Sequence, residues 1–65
     1  MNWKPILKMR PIDGQWYLFL GDNGGYWAAF YLKGTGDFED SGEFRIWEDE
    51  VEDLFTHYTE ITPPT

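Results

Sequence analysis

The sequence contains no cysteine, a single histidine (His57) and a single serine (Ser41). Without cysteine, disulfide bridges and cysteine-based zinc sites are excluded, and the absence is compatible with a reducing compartment. A nucleophilic triad needs a serine or cysteine beside a base and an orienting group. Ser41 lies in an acidic, glycine-containing segment and His57 in a predicted strand, and no sequence pattern places them together. We therefore predict a protein that is not an enzyme.

Positive charge is also scarce, because five Lys and Arg residues stand against twelve Asp and Glu residues and give a net charge of −7. The imbalance is uneven: residues 1–33 hold four cations and two carboxylates (+2), whereas residues 34–65 hold one cation and ten carboxylates (−9). Binding to nucleic acid or to anionic lipid needs clustered Lys and Arg. We therefore expect no direct binding to either, and the acidic half predicts a basic protein partner or serves solubility alone.

Long apolar runs are missing as well. No stretch approaches the roughly 20 apolar residues that a membrane-spanning helix needs. Residues 1–10 lack the apolar segment of a secretion signal. The sequence therefore predicts neither a membrane span nor a signal peptide.

Aromatic side chains, in contrast, are abundant: the 65 residues include four Trp, four Tyr and five Phe. A chain of this length buries only about 60% of its unfolded surface, and small scaffolds usually add disulfides, a metal or oligomerisation. Each large aromatic side chain buries about 150–250 Å², so an aromatic core is the expected substitute. We predict one domain over residues 1–65, with a short proline-containing tail at 62–65.

Two dense apolar runs flank the sequence Gly-Asp-Asn-Gly-Gly at residues 21–25. Asn-Gly between apolar runs predicts a β-hairpin, because a two-residue turn needs positive φ at both central residues. A turn at Asn23 and Gly24 places Leu20 opposite Trp27. A four-residue loop gives the same pairing, and a three-residue loop shifts it by one residue. Both faces of the hairpin are apolar, so each needs a cover from the rest of the chain, a second copy or a partner.

The remaining segments predict about four antiparallel strands in total and at most one short helix. Pro5 removes a hydrogen-bond donor and makes the N-terminal segment extended or an edge strand. In chain order we then expect a turn at 11–14, a mobile loop over 33–42, a third strand at 43–47, a loop or one helical turn at 48–53, and a last strand within 54–61. The predicted fold is all-β, or β-rich with one short helix, as an SH3-like or curled meander.

Three short motifs lie near the two ends of the chain: Trp3-x-Pro5-Ile6, Pro11-x-Asp13-Gly14 and Thr56-His57-Tyr58-x-x-Ile61-x-Pro63. They resemble the signature of a family of small phage and prophage proteins of unknown function, whose members open with W-x-P-I and P-x-D-G and close with T-H-W-x-P-L-P. Here Tyr58 stands where Trp is usual and Glu60 where Pro is usual. The resemblance implies a phage or bacterial source, a location in the cytoplasm of the bacterial host cell and a β-rich domain, and it transfers no catalytic residue. We expect Trp3 and Tyr58 to close the two ends of the chain against the hairpin.

Carboxylates cluster twice in the second half of the chain, and Trp47 lies between the clusters. We predict that they form a partner-binding acidic surface with Trp47 as its apolar anchor, made of Asp37, Glu39, Asp40, Glu43, Trp47, Glu48, Asp49, Glu50, Glu52 and Asp53. The first cluster lacks the D-x-[DN]-x-[DN]-G spacing of a calcium loop. The Gly-Thr-Gly at 34–36 lacks the lysine that follows in a phosphate loop. We therefore predict no metal and no cofactor.

The leading functional hypothesis is a non-catalytic, phage-type binding protein. Carboxylates fixed on a β scaffold can occupy a basic groove by charge complementarity, so the protein would inhibit or modulate a host defence or nucleic-acid-handling protein. One alternative is an aromatic-rich oligomer that sequesters nucleotides or other small molecules by stacking. The other is a structural or assembly accessory protein whose apolar faces are buried in a homo-oligomer.

Overall fold

The computed structural model describes residues 2–42 and 44–62. Within them, six strands form one open antiparallel sheet in the order β1-β6-β2-β3-β4-β5. The elements are β1 (Lys4–Pro5), a 3₁₀ helix (Ile6–Lys8), β2 (Trp16–Gly21), β3 (Tyr26–Leu32), β4 (Asp37–Glu39), β5 (Arg45–Trp47), α1 (Val51–Leu54) and β6 (Phe55–Ile61). The predicted β-rich fold with one short α-helix is confirmed. Glu43 and most of the predicted tail, residues 63–65, lie outside the described residues.

The strand count exceeds the predicted four because two short segments join the sheet. Lys4–Pro5 pairs with β6 as an edge strand, as Pro5 allows. Asp37–Glu39 lies within the segment predicted as a mobile loop, and that prediction is wrong for these three residues. They pair with β3 on one side and with β5 on the other, so β2 to β5 form a continuous meander.

The hairpin forms as predicted, but its register differs by one residue. Leu20 lies opposite Tyr26 rather than Trp27. The Gly21 N–H donates to the Gly25 carbonyl at 2.7 Å, and Gly24 adopts φ +87°. The loop therefore has three residues with glycine in the left-handed position, a geometry that needs only one positive φ.

This register places Tyr17 and Phe19 of β2 on the same face of the sheet as Ala29 of β3. All three are buried, and the Phe38 ring on β4 lies 6.1 Å from Tyr17 and 5.0 Å from Phe19 between ring centroids. Rings of β2 and β4 meet across the intervening strand because Ala29 occupies little space there. These side chains form the centre of the aromatic core on this face of the sheet.

The two ends of the chain meet at the edge of the sheet and cover opposite faces of it. Lys4 pairs with Tyr58, which is buried with its ring 5.9 Å from that of Tyr17. Ile6, just after β1, enters the same core. Trp3 instead stacks on Tyr26, at 6.0 Å between centroids, on the outer face. Trp3 and Tyr58 both close on the hairpin as expected, but from different sides.

The only α-helix within residues 2–42 and 44–62 is the single turn α1, whose Val51 side chain is buried against the core. Residues 48–53, predicted as a loop or one helical turn, form a turn over 48–50 that leads into α1. No helix in the described part of the chain has the length and apolar character needed to cross a membrane.

Candidate functional site

Residues 48–53, here called the acidic turn, lead from the end of β5 into α1. The turn is built by two backbone hydrogen bonds, from the Glu50 N–H to the Trp47 carbonyl at 2.9 Å and from the Asp53 N–H to the Glu50 carbonyl at 3.1 Å. Val51 is the one apolar residue in the segment and is only 5% exposed. Val51 points into the core, whereas the five carboxylate residues of the turn are all exposed: Glu48, Asp49, Glu50, Glu52 and Asp53.

Glu48 ties the acidic turn to the core. Its backbone N–H donates to the Gly36 carbonyl at 3.0 Å, and its carboxylate accepts a hydrogen bond from the hydroxyl of Tyr31, which is buried on β3. This hydrogen bond, together with burial, raises the pKa of Tyr31 to about 12. Glu48 therefore supports the turn as well as adding to its charge.

Trp47 lies next to the turn and remains 46% exposed. The guanidinium carbon of Arg45 lies 5.7 Å from the centroid of its ring, which is a cation–π distance. The same guanidinium donates to the Asp37 carboxylate at 3.3 Å. Arg45 therefore covers part of the Trp47 ring and leaves the rest accessible to a partner.

The described residues of the first carboxylate cluster are buried or half-buried, unlike those of the acidic turn. Asp37 is fully buried and accepts hydrogen bonds from Arg45 and from the Thr35 hydroxyl, the latter at 2.8 Å, so it does not belong to the accessible acidic surface. Glu39 is half-buried on β4, opposite Arg45. The predicted site residue Glu43 lies outside the described residues.

Asp40 is half-buried, and its carboxylate organises the loop between β4 and β5. It accepts hydrogen bonds from the indole N–H of Trp27 at 3.1 Å and from the Gly42 and Phe44 N–H groups at 2.9 and 3.3 Å. The Trp27 bond, and then the two backbone bonds, lower the pKa of Asp40. The loop is thereby held over Trp27, whose ring also contacts that of Phe44.

A cleft of about 340 Å³ lies between the 3₁₀ helix and the acidic turn, and nothing in the sequence analysis anticipated it. The residues that line it come from the N-terminal segment, from β4 and from the acidic turn: Ile6, Leu7, Met9, Pro11, Phe38, Glu48, Asp49, Val51 and Glu52. A sequence signal existed only in part, as the apolar residues between Trp3 and Pro11. Their position beside the acidic turn follows from the pairing of β1 with β6.

Within residues 2–42 and 44–62, no cluster of three or more His, Asp or Glu side chains has the arrangement to hold a metal ion. The ion pairs found there join Lys4 to Glu60 and Arg45 to Asp37. None involves the carboxylates of the acidic turn, so no described cation neutralises them at contact distance.

No protein-family model matches the chain, and comparisons with curated proteins and with solved structures find no significant match.

Proposed function

We propose that this chain is a non-catalytic binding domain whose acidic turn contacts a basic surface on a partner protein. The observation that carries the proposal is the acidic turn itself, in which five of six consecutive side chains are exposed carboxylates on a fixed backbone. Val51 and the bond between Tyr31 and Glu48 hold that backbone to the aromatic core.

Fixed carboxylates suit charge recognition for two physical reasons. Several like charges on one projection create a field that speeds the encounter with an oppositely charged partner. A backbone that is already ordered loses little conformational entropy on binding. Because no described cation pairs with these carboxylates, their field extends into solvent.

Trp47 supplies the apolar contact that an interface also needs. Binding energy concentrates in a few buried aromatic or arginine side chains surrounded by polar groups. Trp47 is about half exposed and lines one shallow depression with Glu48, Asp49 and Glu50. We assign it as the anchor of the interface.

The class of partner is proposed from the family resemblance and from charge. A phage-type protein in the cytoplasm of a bacterial host would use such a surface to inhibit or modulate a host protein that handles nucleic acid, since those proteins carry basic grooves. The net charge of −7 is compatible with this role and disfavours direct contact of the chain with nucleic acid.

The test is affinity capture from bacterial lysate, followed by measurement of Kd with the purified partner over a range of salt concentrations. The double variant Asp49→Asn/Glu50→Gln removes two charges from the acidic turn, and Asp13→Asn/Asp22→Asn removes two exposed charges elsewhere that belong to neither described ion pair. We expect the first to weaken binding about tenfold, at roughly 0.7 kcal/mol per exposed charge, and the control to change it less than twofold.

Added salt should weaken binding of the wild-type chain more than that of the acidic-turn variant. Equal losses in the two double variants would show that net charge alone drives capture. Binding that is insensitive to both variants and to salt would refute the acidic turn as the contact surface.

A further inference from the structure

We infer that the cleft beside the acidic turn receives one long basic side chain, a lysine or an arginine, that projects from the partner. This inference rests on the proposed function and names the chemical group that the site recognises. The floor, the wall and the rim of the cleft each favour such a side chain.

The floor of the cleft is apolar and fixed. Ile6, Met9, Phe38 and Val51 line it, and all four are at most 8% exposed because they also form the domain core. Side chains packed in a core hold their positions, so the cleft is already formed before anything binds. An apolar floor suits the methylene stem of lysine or arginine, which lies along apolar surface while its charged end stays in water.

Among the described residues that line the cleft, the charged ones all belong to the acidic turn. Glu48, Asp49 and Glu52 line the cleft from the acidic turn, whereas the opposite wall includes the apolar residues Leu7, which is 73% exposed, and Pro11. A purely apolar occupant would remove water from these carboxylates without pairing them, which is unfavourable. An anionic occupant would be repelled. A side chain with an apolar stem and a cationic end satisfies both parts of the cleft.

The cleft has room for one long side chain. At about 340 Å³ it lies at the lower end of the range of small-molecule pockets, roughly 300–1,000 Å³. It is also continuous with the surface that carries Trp47, since Glu48 and Asp49 line both the cleft and the depression beside that ring. A partner bound at the acidic turn can therefore place one of its basic side chains in the cleft.

Two pairs of carboxylates in the acidic turn allow a matched comparison of variants. Asp49 and Glu52 line the cleft, whereas Glu50 lines the neighbouring depression and Asp53 lines neither. All four are exposed and none belongs to an ion pair among the described residues. The double variants Asp49→Asn/Glu52→Gln and Glu50→Gln/Asp53→Asn thus remove the same charge from the same turn, and only the first changes the cleft.

The experiment is an NMR titration of the intact chain with a capped peptide that has one arginine between glycines. A second peptide with citrulline in place of arginine keeps the shape and removes the charge. We expect saturable shifts at the amides of Leu7, Asp49 and Glu52, with a Kd on the order of millimolar, and at least fivefold weaker binding of the citrulline peptide.

Among the variants, Asp49→Asn/Glu52→Gln should weaken binding of the arginine peptide about fivefold to tenfold, and Glu50→Gln/Asp53→Asn less than twofold. Leu7→Ser should weaken it about twofold by removing apolar wall, and it leaves the core intact because Leu7 is mostly exposed. Dispersed amide spectra of each variant would verify that it is folded.

Three results would overturn the inference: no saturable shift at the cleft, equal binding of the citrulline peptide, or equal weakening by the two double variants. The peptide titration needs no partner protein, so its failure is separable from failure of the proposed function. Salt-sensitive capture through the acidic turn together with a failed titration would refute the cleft alone. Peptide binding without capture of a basic partner would refute the proposed function alone.

Discussion

The hydrogen bond from Tyr31 to Glu48 predicts a specific dependence of stability on pH. Tyr31 is 6% exposed, and its pKa is raised from the ordinary 10.0 to about 12 by the Glu48 carboxylate and by burial. The folded protein therefore keeps the phenolic proton at a pH where the unfolded chain has lost it. For a group with a raised pKa, the stabilisation is fully present below the unfolded pKa and is lost as pH rises through the folded pKa.

The magnitude follows from the two pKa values. Between about pH 10 and pH 12 the contribution of Tyr31 falls by about 1.4 kcal/mol for each pH unit, and below pH 10 it is constant. From about pH 8 to about pH 11 the wild-type chain should therefore lose about 1.4 kcal/mol more of its free energy of unfolding than the variant Tyr31→Phe, which has no proton to release. The pKa of Tyr17 is also raised, chiefly by burial, but Tyr17 is present in both proteins and cancels in the difference.

The assay is urea unfolding of both proteins at the two pH values, with tryptophan fluorescence as the readout. At neutral pH, Tyr31→Phe should cost about 1 kcal/mol for the lost hydrogen bond, because Glu48 is exposed and regains water. Glu48→Gln keeps an acceptor and removes the charge, so it should show a smaller pH step than the wild-type chain. Parallel pH profiles for the wild-type chain and Tyr31→Phe would refute the assignment of the raised pKa to this pair.

Three further predictions are checked by urea unfolding. Gly24→Ala should cost about 1–2 kcal/mol, since Gly24 has φ +87° although a Cβ there meets no atom within 4 Å, whereas Gly34→Ala should change stability little because it lacks that φ. Ala29→Leu should cost about 1–3 kcal/mol by overpacking the site where the rings of β2 and β4 meet, and Ala28→Leu on the outer face should cost less. Asp37→Asn should cost about 1–3 kcal/mol because the buried carboxylate binds both Thr35 and Arg45.

The hairpin shows what local sequence can and cannot determine. Asn-Gly between apolar runs was sufficient to predict a hairpin, and the hairpin is present. Its register was not determined, because a one-residue slip is penalised by sequence pattern only when one face is apolar and the other polar. Here both faces are apolar, so the conformation of the loop sets the register. In that loop Gly24 takes the left-handed conformation and Asn23 does not.

Strand β4 is a segment that the local sequence predicts as a loop and that nevertheless forms a buried strand. Around Phe38 the sequence contains glycines and acids, which favour a loop, and propensity alone does not predict a buried strand there. Phe38 is nevertheless fully buried, and the adjacent Asp37 is buried because Thr35 and Arg45 bind its carboxylate. Those partners come from the turn before β4 and from β5, so tertiary contacts decide the structure of this segment.

The acidic turn was predictable and the cleft was not, for one physical reason. The outward direction of the carboxylates follows from the single apolar residue Val51 within residues 48–53, which is a local property. The cleft joins Leu7 and Glu52, which are distant in sequence and are brought together by the pairing of β1 with β6. No local pattern contains that pairing.

The strands build the core of the domain, whereas the acidic turn carries the surface proposed to bind a partner. Without disulfides, stability must come from packed rings, and Phe19 alone contacts the rings of Trp27, Phe38 and Phe55. That core uses the aromatic residues on the strands and leaves the acidic turn to be held by Val51 and by the bond from Tyr31 to Glu48. Because Glu48 also lines the cleft, the position of the cleft rim depends on a core tyrosine. The surface proposed to bind a partner is therefore ordered before binding by the same contacts that stabilise the fold.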